Sequence, residues 1–222
     1  MAFSCERFFS VIASGIRDMF VQQVKVGDTD NFGYVIADEE TKMAAIIDPS
    51  MDSRPFQEIS AKHGFRIVYI LNTHEHRDHI ANNERVARET GAKIAAHRLS
   101  QARKDVAFED GASLKIGNLL VKVLHTPGHS PDSCCFIVGK ALFTGDTLFV
   151  GECGRTDLPR SDVKAMHDSL LNRIRSLDDD LIVYPGHDYG KTPTSTLGYE
   201  KENNYTLKPR TLEEFIRFME EP

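Results

Sequence analysis

The chain has 222 residues, a net charge of -6, 41% hydrophobic and 27% charged residues, values that describe a soluble globular protein and exclude a disordered one. The acidic balance excludes nucleic acid as the main partner, because neutralising phosphates takes a clustered basic surface. No run of about 18 apolar residues is present to span a bilayer, and the length suits one domain better than two.

In chain order, a short apolar stretch at 8–13 lies between Glu6 and Arg17-Asp18. It reads as a surface helix within an N-terminal extension, 1–19, rather than as a signal peptide, so a cytoplasmic location is expected. Segments 20–26 and 33–37 read as strands, and 43–47 is an apolar run closed by the turn signal Asp48-Pro49. A helix over 54–63 and an apolar strand over 66–71 follow. The next helical pattern, 80–90, stops at Gly91. A strand over 93–96 comes next, then two hairpins, 114–115 with 119–124 and 134–138 with 141–144. A helix over 163–176, a strand over 181–184 and a helix over 212–220 complete the chain. Strands interleaved with helices, plus hairpins too close for crossovers, point to mixed sheets covered by helices. Of the four cysteines, Cys5, Cys134, Cys135 and Cys153, none forms a C-x-x-C pair and the adjacent two are poorly placed to bridge, so reduced thiols are expected.

The densest chemistry is Thr73-His74-Glu75-His76-Arg77-Asp78-His79, directly after the strand at 66–71. Three imidazoles and a carboxylate in six residues are ligands for Zn(II), Fe(II) or Mn(II), and a solvated loop would gain nothing from such crowding. Further ligand types recur near strand ends: His129 after Pro127-Gly128, Asp146 after Gly145, and His187 after Gly186. Each alone reads equally well as a turn residue; together, after a rigid sheet, they read as a metal site. His63, His97, His125 and His167 lack that context and read as structural or surface residues.

This set of motifs resembles the metallo-β-lactamase superfamily, whose signature is T-H-x-H-x-D-H followed by Gly-His, Gly-Asp and Gly-His. The resemblance runs from about Phe20 to the C-terminus. It implies an α/β fold, the αββα four-layer sandwich, as one domain over 1–222 with substrate-side helices in 190–222. It also implies that His74, His76 and His129 hold one metal and Asp78, His79 and His187 a second, with Asp146 bridging and Asp78 orienting the nucleophile. Two Zn2+, or a mixture of Zn, Fe and Mn, would then lower the pKa of a shared water, and the metal-bound hydroxide would attack a carbonyl.

Within the superfamily the chain is similar to glyoxalase II thioesterases and persulfide dioxygenases. Gly154-Arg155-Thr156-Asp157 and Tyr184-Pro185-Gly186-His187-Asp188-Tyr189 lean toward the dioxygenases and toward short glyoxalase II relatives, and 195–200 toward the latter. The dioxygenases' Asn-Pro-Arg is replaced by Asn204-Tyr205-Thr206, with Arg210 four residues on. Hydrolysis of a thioester such as S-lactoylglutathione is placed first, because hydrolysis prevails in the superfamily. The alternative is a non-haem iron dioxygenase of glutathione persulfide, with one Fe2+ on His74, His129 and Asp146. Arg155, Tyr189 and Arg210 are the candidates for holding the carboxylates of such a substrate. The expected partner is a small-molecule thiol conjugate, with neither nucleic acid nor membrane; a homodimer is compatible with the sequence.

Overall fold

In the computed structural model, residues 19–27 and 30–220 are described; the helix expected over 8–13 and Cys5 lie outside them. The first sheet runs in the order β1 to β6: β1 (Met19–Val26), β2 (Asn31–Asp38), β3 (Met43–Ile47), β4 (Arg66–Leu71), β5 (Lys93–His97) and β6 (Val106–Phe108). Pairing is antiparallel from β1 to β3 and parallel from β3 to β6. The second sheet has the order β12 (Ser195–Thr196), β11 (Ile182–Pro185), β10 (Ala141–Gly145), β9 (Cys134–Val138), β8 (Leu119–His125), β7 (Ser113–Ile116). Its one parallel pair is β10 with β11.

Three apolar layers hold the sandwich together. The central one joins both sheets through Tyr34, Ile36, Ile47 and Leu71 on one side and Val121, Phe136 and Phe143 on the other. Alternating inward side chains along β2 and β8 build it, as the period of a strand requires. Removing a ring such as Phe136, which is fully buried, costs about 3–5 kcal/mol. Outside the first sheet, α1 (Arg54–His63) and α3 (Asn83–Thr90) supply Phe56 and Val86 to the second layer. Outside the second sheet, α4 (Val163–His167), α5 (Leu197–Asn203) and α6 (Leu212–Glu220) supply Met166, Leu197 and Phe215 to the third. The four-layer order expected from the resemblance is the observed one.

The helix expected over 80–90 is broken in two. A single turn, α2 (Arg77–Ile80), comes first, and α3 starts again at Asn83. The backbone and side-chain nitrogens of Asn82 both donate to Ser50 O, at 3.1 and 2.9 Å, which draws the chain off the helical path. The helix expected over 163–176 continues past His167 as a wide turn, 168–173, and a tight one, 174–176. The strands β6 and β12 were not expected, since two or three residues are too short to show a period, while α5 falls among the helices expected in 190–222. No helix among the described residues is long and apolar enough to cross a membrane. Cys134, Cys135 and Cys153 are buried free thiols.

Candidate metal centre

The ligand-rich segment leaves β4 and crosses to the second sheet. Asn72 N still pairs with Ala95 O, while Thr73 O accepts from Cys134 N, so the backbone is fixed to both sheets just before His74. The turn Arg77–Ile80 closes on His76 O, with His79 N at 2.9 Å. That one turn swings Asp78 and His79 back toward His187 at the end of β11.

Glycines precede the downstream ligands for steric reasons. Gly145 sits at φ 49, and a Cβ there would strike Thr73 Oγ1. A Cβ on Gly186 would strike Asp146 Oδ1. The Gly-Asp and Gly-His pairs of the sequence therefore let two strand ends meet.

All seven expected ligand residues converge there in two halves. In the first, His76 Nδ1 lies 3.0 Å from His74 Nε2 and 2.8 Å from His129 Nε2. In the second, His187 Nε2 lies 3.3 Å from His79 Nε2 and 3.4 Å from Asp78 Oδ2. Asp146 stands between them, 3.5 Å from His129, 3.3 Å from His79 and 3.3 Å from His187. Ligand atoms of His74, His76 and His129, of His74, His79 and Asp146, and of Asp78, His79 and His187 form three groups, each within 4.8 Å.

The outward nitrogens are tethered. His129 Nδ1 donates to Arg155 O at 2.9 Å and His79 Nδ1 to Asp48 Oδ2 at 3.0 Å, which turns each Nε2 toward the centre. His74 Nδ1 lies 3.1 Å from Thr73 Oγ1, whose own proton goes to Asp48 Oδ2 at 2.5 Å.

Electrostatics divide the site. Burial, then the charge of His79, pushes the His74 pKa well down, and burial lowers His129. Burial opposes charge on His79 and His187 too, but Asp146 outweighs it at both, with Asp78 helping at His187, which rises to about 9. Asp78 and Asp146 are held far below the usual carboxylate range by those imidazoles despite burial. The carboxylates thus draw positive charge into the second half.

These residues fit a metal. Asp146 Oδ1 is buried with no hydrogen-bond partner among the described residues, an orphan that a cation satisfies. Ring nitrogens of His74, His76 and His129 converge on one spot, the donor set that a cation takes up.

The three residues assigned to substrate have separate partners. Tyr189 is 56% exposed and stacks on His187 at 4.7 Å and 13°. Arg155 is joined to the centre through its carbonyl, while its guanidinium pairs with Asp157 at 2.5 Å in solvent. Arg210 lies over the Phe218 ring at 4.2 Å and donates to Tyr205 O at 2.6 Å. Sequence reasoning passed over Asp48, treated only as a turn residue, although it too follows a strand directly; it also passed over Asn31 at the head of β2.

Two mixed sheets between helices, with imidazole and carboxylate gathered where strands end, define a metalloenzyme of the αββα class. The chain belongs to the Metallo-beta-lactamase superfamily, whose family model matches residues 26–104 and 100–187. It is 34% identical over 195 residues to the human "Persulfide dioxygenase ETHE1, mitochondrial", covering 85% of this chain and 75% of that protein. It is 37% identical to a "Hydroxyacylglutathione hydrolase" of Polaromonas sp. over 179 residues, 77% of this chain and 67% of that one. The solved structure of "ETHE1 from Myxococcus xanthus" superposes with a TM-score of 0.87 at 31% identity, covering 91% of each chain.

Proposed function

We propose that this chain is a non-haem iron persulfide dioxygenase acting on a small thiol persulfide such as glutathione persulfide, with the iron on His74, His129 and Asp146. The observation that carries the reading is the likeness to persulfide dioxygenases over 85% of the chain, together with the close superposition on a solved ETHE1. Held by two imidazoles and one carboxylate, ferrous iron would supply oxidation chemistry, with room for dioxygen and the substrate sulfur.

The chain's own residues prepare that site. The Arg155 carbonyl and Thr73 hydroxyl hold the His129 and His74 rings by their Nδ1 atoms, fixing tautomer and direction. Phe149 meets His187 edge-on at 5.8 Å and Tyr189 stacks on it, so two aromatic rings hold that imidazole in place. Arg155 contributes a guanidinium that a substrate carboxylate takes over from Asp157. Arg210 is the second candidate for that role.

Thioester hydrolysis is the second reading, favoured by the gathering of Asp78, His79 and His187 into a cluster of their own, which a single-iron reaction does not use. Metal analysis of the purified protein with two assays separates them. One iron, O2 uptake with glutathione persulfide and no hydrolysis of S-lactoylglutathione is the expected result. About two zincs per chain with no O2 uptake would sink the dioxygenase.

A further inference from the structure

The second half of the centre holds one more polar group than the seven ligand residues account for. Asn31 is fully buried at the head of β2. Its backbone bridges to His187, Phe32 N donates to Gly186 O and Asp188 N to Asp30 O, both at 2.8 Å. Lys25 Nζ ties the two flanks together, 2.7 Å from Asp30 and 2.9 Å from Asp188. The Asn31 carboxamide is thereby fixed beside His187.

Its terminal atom, Nδ2, lies 2.9 Å from Asp78 Oδ2, 3.4 Å from His187 Nε2 and 3.5 Å from His79 Nε2. Those three atoms are themselves 3.4 Å (Asp78 to His187), 3.5 Å (Asp78 to His79) and 3.3 Å (His79 to His187) apart. The six distances close into a nearly regular tetrahedron. A four-coordinate cation with bonds of about 2.0–2.2 Å demands ligand separations of about 3.3–3.6 Å. Only the edge from Asn31 to Asp78 is shorter, and that one is a hydrogen bond.

A half-turn of the carboxamide exchanges its NH2 for its oxygen at the same corner. Facing Asp78 without a cation, the NH2 is the right group; facing a cation, the oxygen is. We propose that Asn31 is a ligand of the second cation position through Oδ1, completing a set with Asp78, His79 and His187. Two imidazoles with two oxygens, and Asp146 beside them, make this position harder than a three-imidazole set, so it favours Mn2+ over Zn2+ more than the first does. The inference goes beyond the iron reading, which employs the first position alone.

The test is calorimetric titration of the metal-stripped full chain with Mn2+ and with Zn2+, for wild type, Asn31→Leu and Asn31→Asp. Wild type and Asn31→Asp are expected to bind two equivalents. Asn31→Leu should keep the first affinity and lose at least about tenfold in the second, more for Mn2+ than for Zn2+. Asn31→Leu binding both cations as wild type does overturns the inference alone, as does Asn31→Asp losing the second like Asn31→Leu. A wild-type chain that binds one equivalent overturns it together with the two-metal hydrolase reading and leaves the single-iron dioxygenase standing. Should Asn31→Leu fail to fold, anomalous diffraction from Mn2+-loaded wild-type crystals decides: the amide oxygen within about 2.0–2.4 Å of the cation supports it, and an amide turned away from the cation overturns it.

Discussion

Asp48 Oδ2 accepts from His79 Nδ1 at 3.0 Å while the same oxygen receives the Thr73 hydroxyl at 2.5 Å. Through Thr73, which lies 3.1 Å from His74 Nδ1, one buried carboxylate at the end of β3 sets an imidazole in each half of the centre. Its other oxygen takes Thr73 N at 2.9 Å, so Asp48 also shapes the backbone entering the ligand loop.

Replacing that carboxylate tests this. Asp48→Asn keeps the shape but weakens the acceptor facing His79 and Thr73. Metal affinity is expected to fall about 10- to 100-fold, and stability by about 1–3 kcal/mol. Metal titration and urea unfolding read the two; unchanged affinity would show that Asp48 does not orient the imidazoles.

The dioxygenase reading ranks two histidines. His74→Ala removes an iron ligand and should abolish O2 uptake and iron retention. His79→Ala removes a neighbour in the other half and should leave uptake within about tenfold of wild type. Equal loss from both substitutions contradicts a single working iron.

Asn204 caps the turn Tyr205–Leu207, and its side chain is buried. Its amide donates to Phe149 O, Glu152 O and Glu200 Oε2 at 3.3, 3.2 and 2.9 Å, and its carbonyl accepts from Thr206 N at 2.9 Å. Asn204→Ala should destabilise by about 1–3 kcal/mol and speed amide exchange in the loop 149–153. Exchange at wild-type rates there would falsify the anchoring role.

His97 is buried and stacked on His125 at 4.0 Å and 12°. Burial, then the neighbouring His125, lowers its pKa from 6.5 to about 4. The folded state therefore binds fewer protons than the unfolded state across that window, so this contribution is complete above pH 6.5 and lost as pH falls toward 4. It amounts to about 1–3 kcal/mol. His97→Phe keeps a ring against His125 without the titration, so its denaturation midpoint should drop less than wild type's between pH 7 and about 4.5. Identical acid limbs would assign the acid sensitivity to other groups.

The main elements were legible in the chain because their signals are local. Gly64, at φ 68, ends α1 where a glycine stop is expected, and β3, β4 and β9 have the bounds that apolar runs define. The break at Ala81-Asn82 was hidden, since what causes it is Ser50, far back in the sequence.

The centre shows the same division. The crowding of His74, His76, Asp78 and His79 by itself determined that this chain binds metal, because no loop gains from three imidazoles and a carboxylate in six residues. Gly-His and Gly-Asp pairs marked the rest, since only glycine lets strand ends approach so closely. The resemblance already divided the ligands into two halves; tertiary structure set the distances within and between them, and brought in Asp48 from 25 residues before Thr73 and Asn31 from 156 before His187. A lone Asp or Asn at a strand end carries no pattern of its own. Its part in the site exists only where folding sets its side chain against the imidazoles, and that distance is a property of the packed sheets.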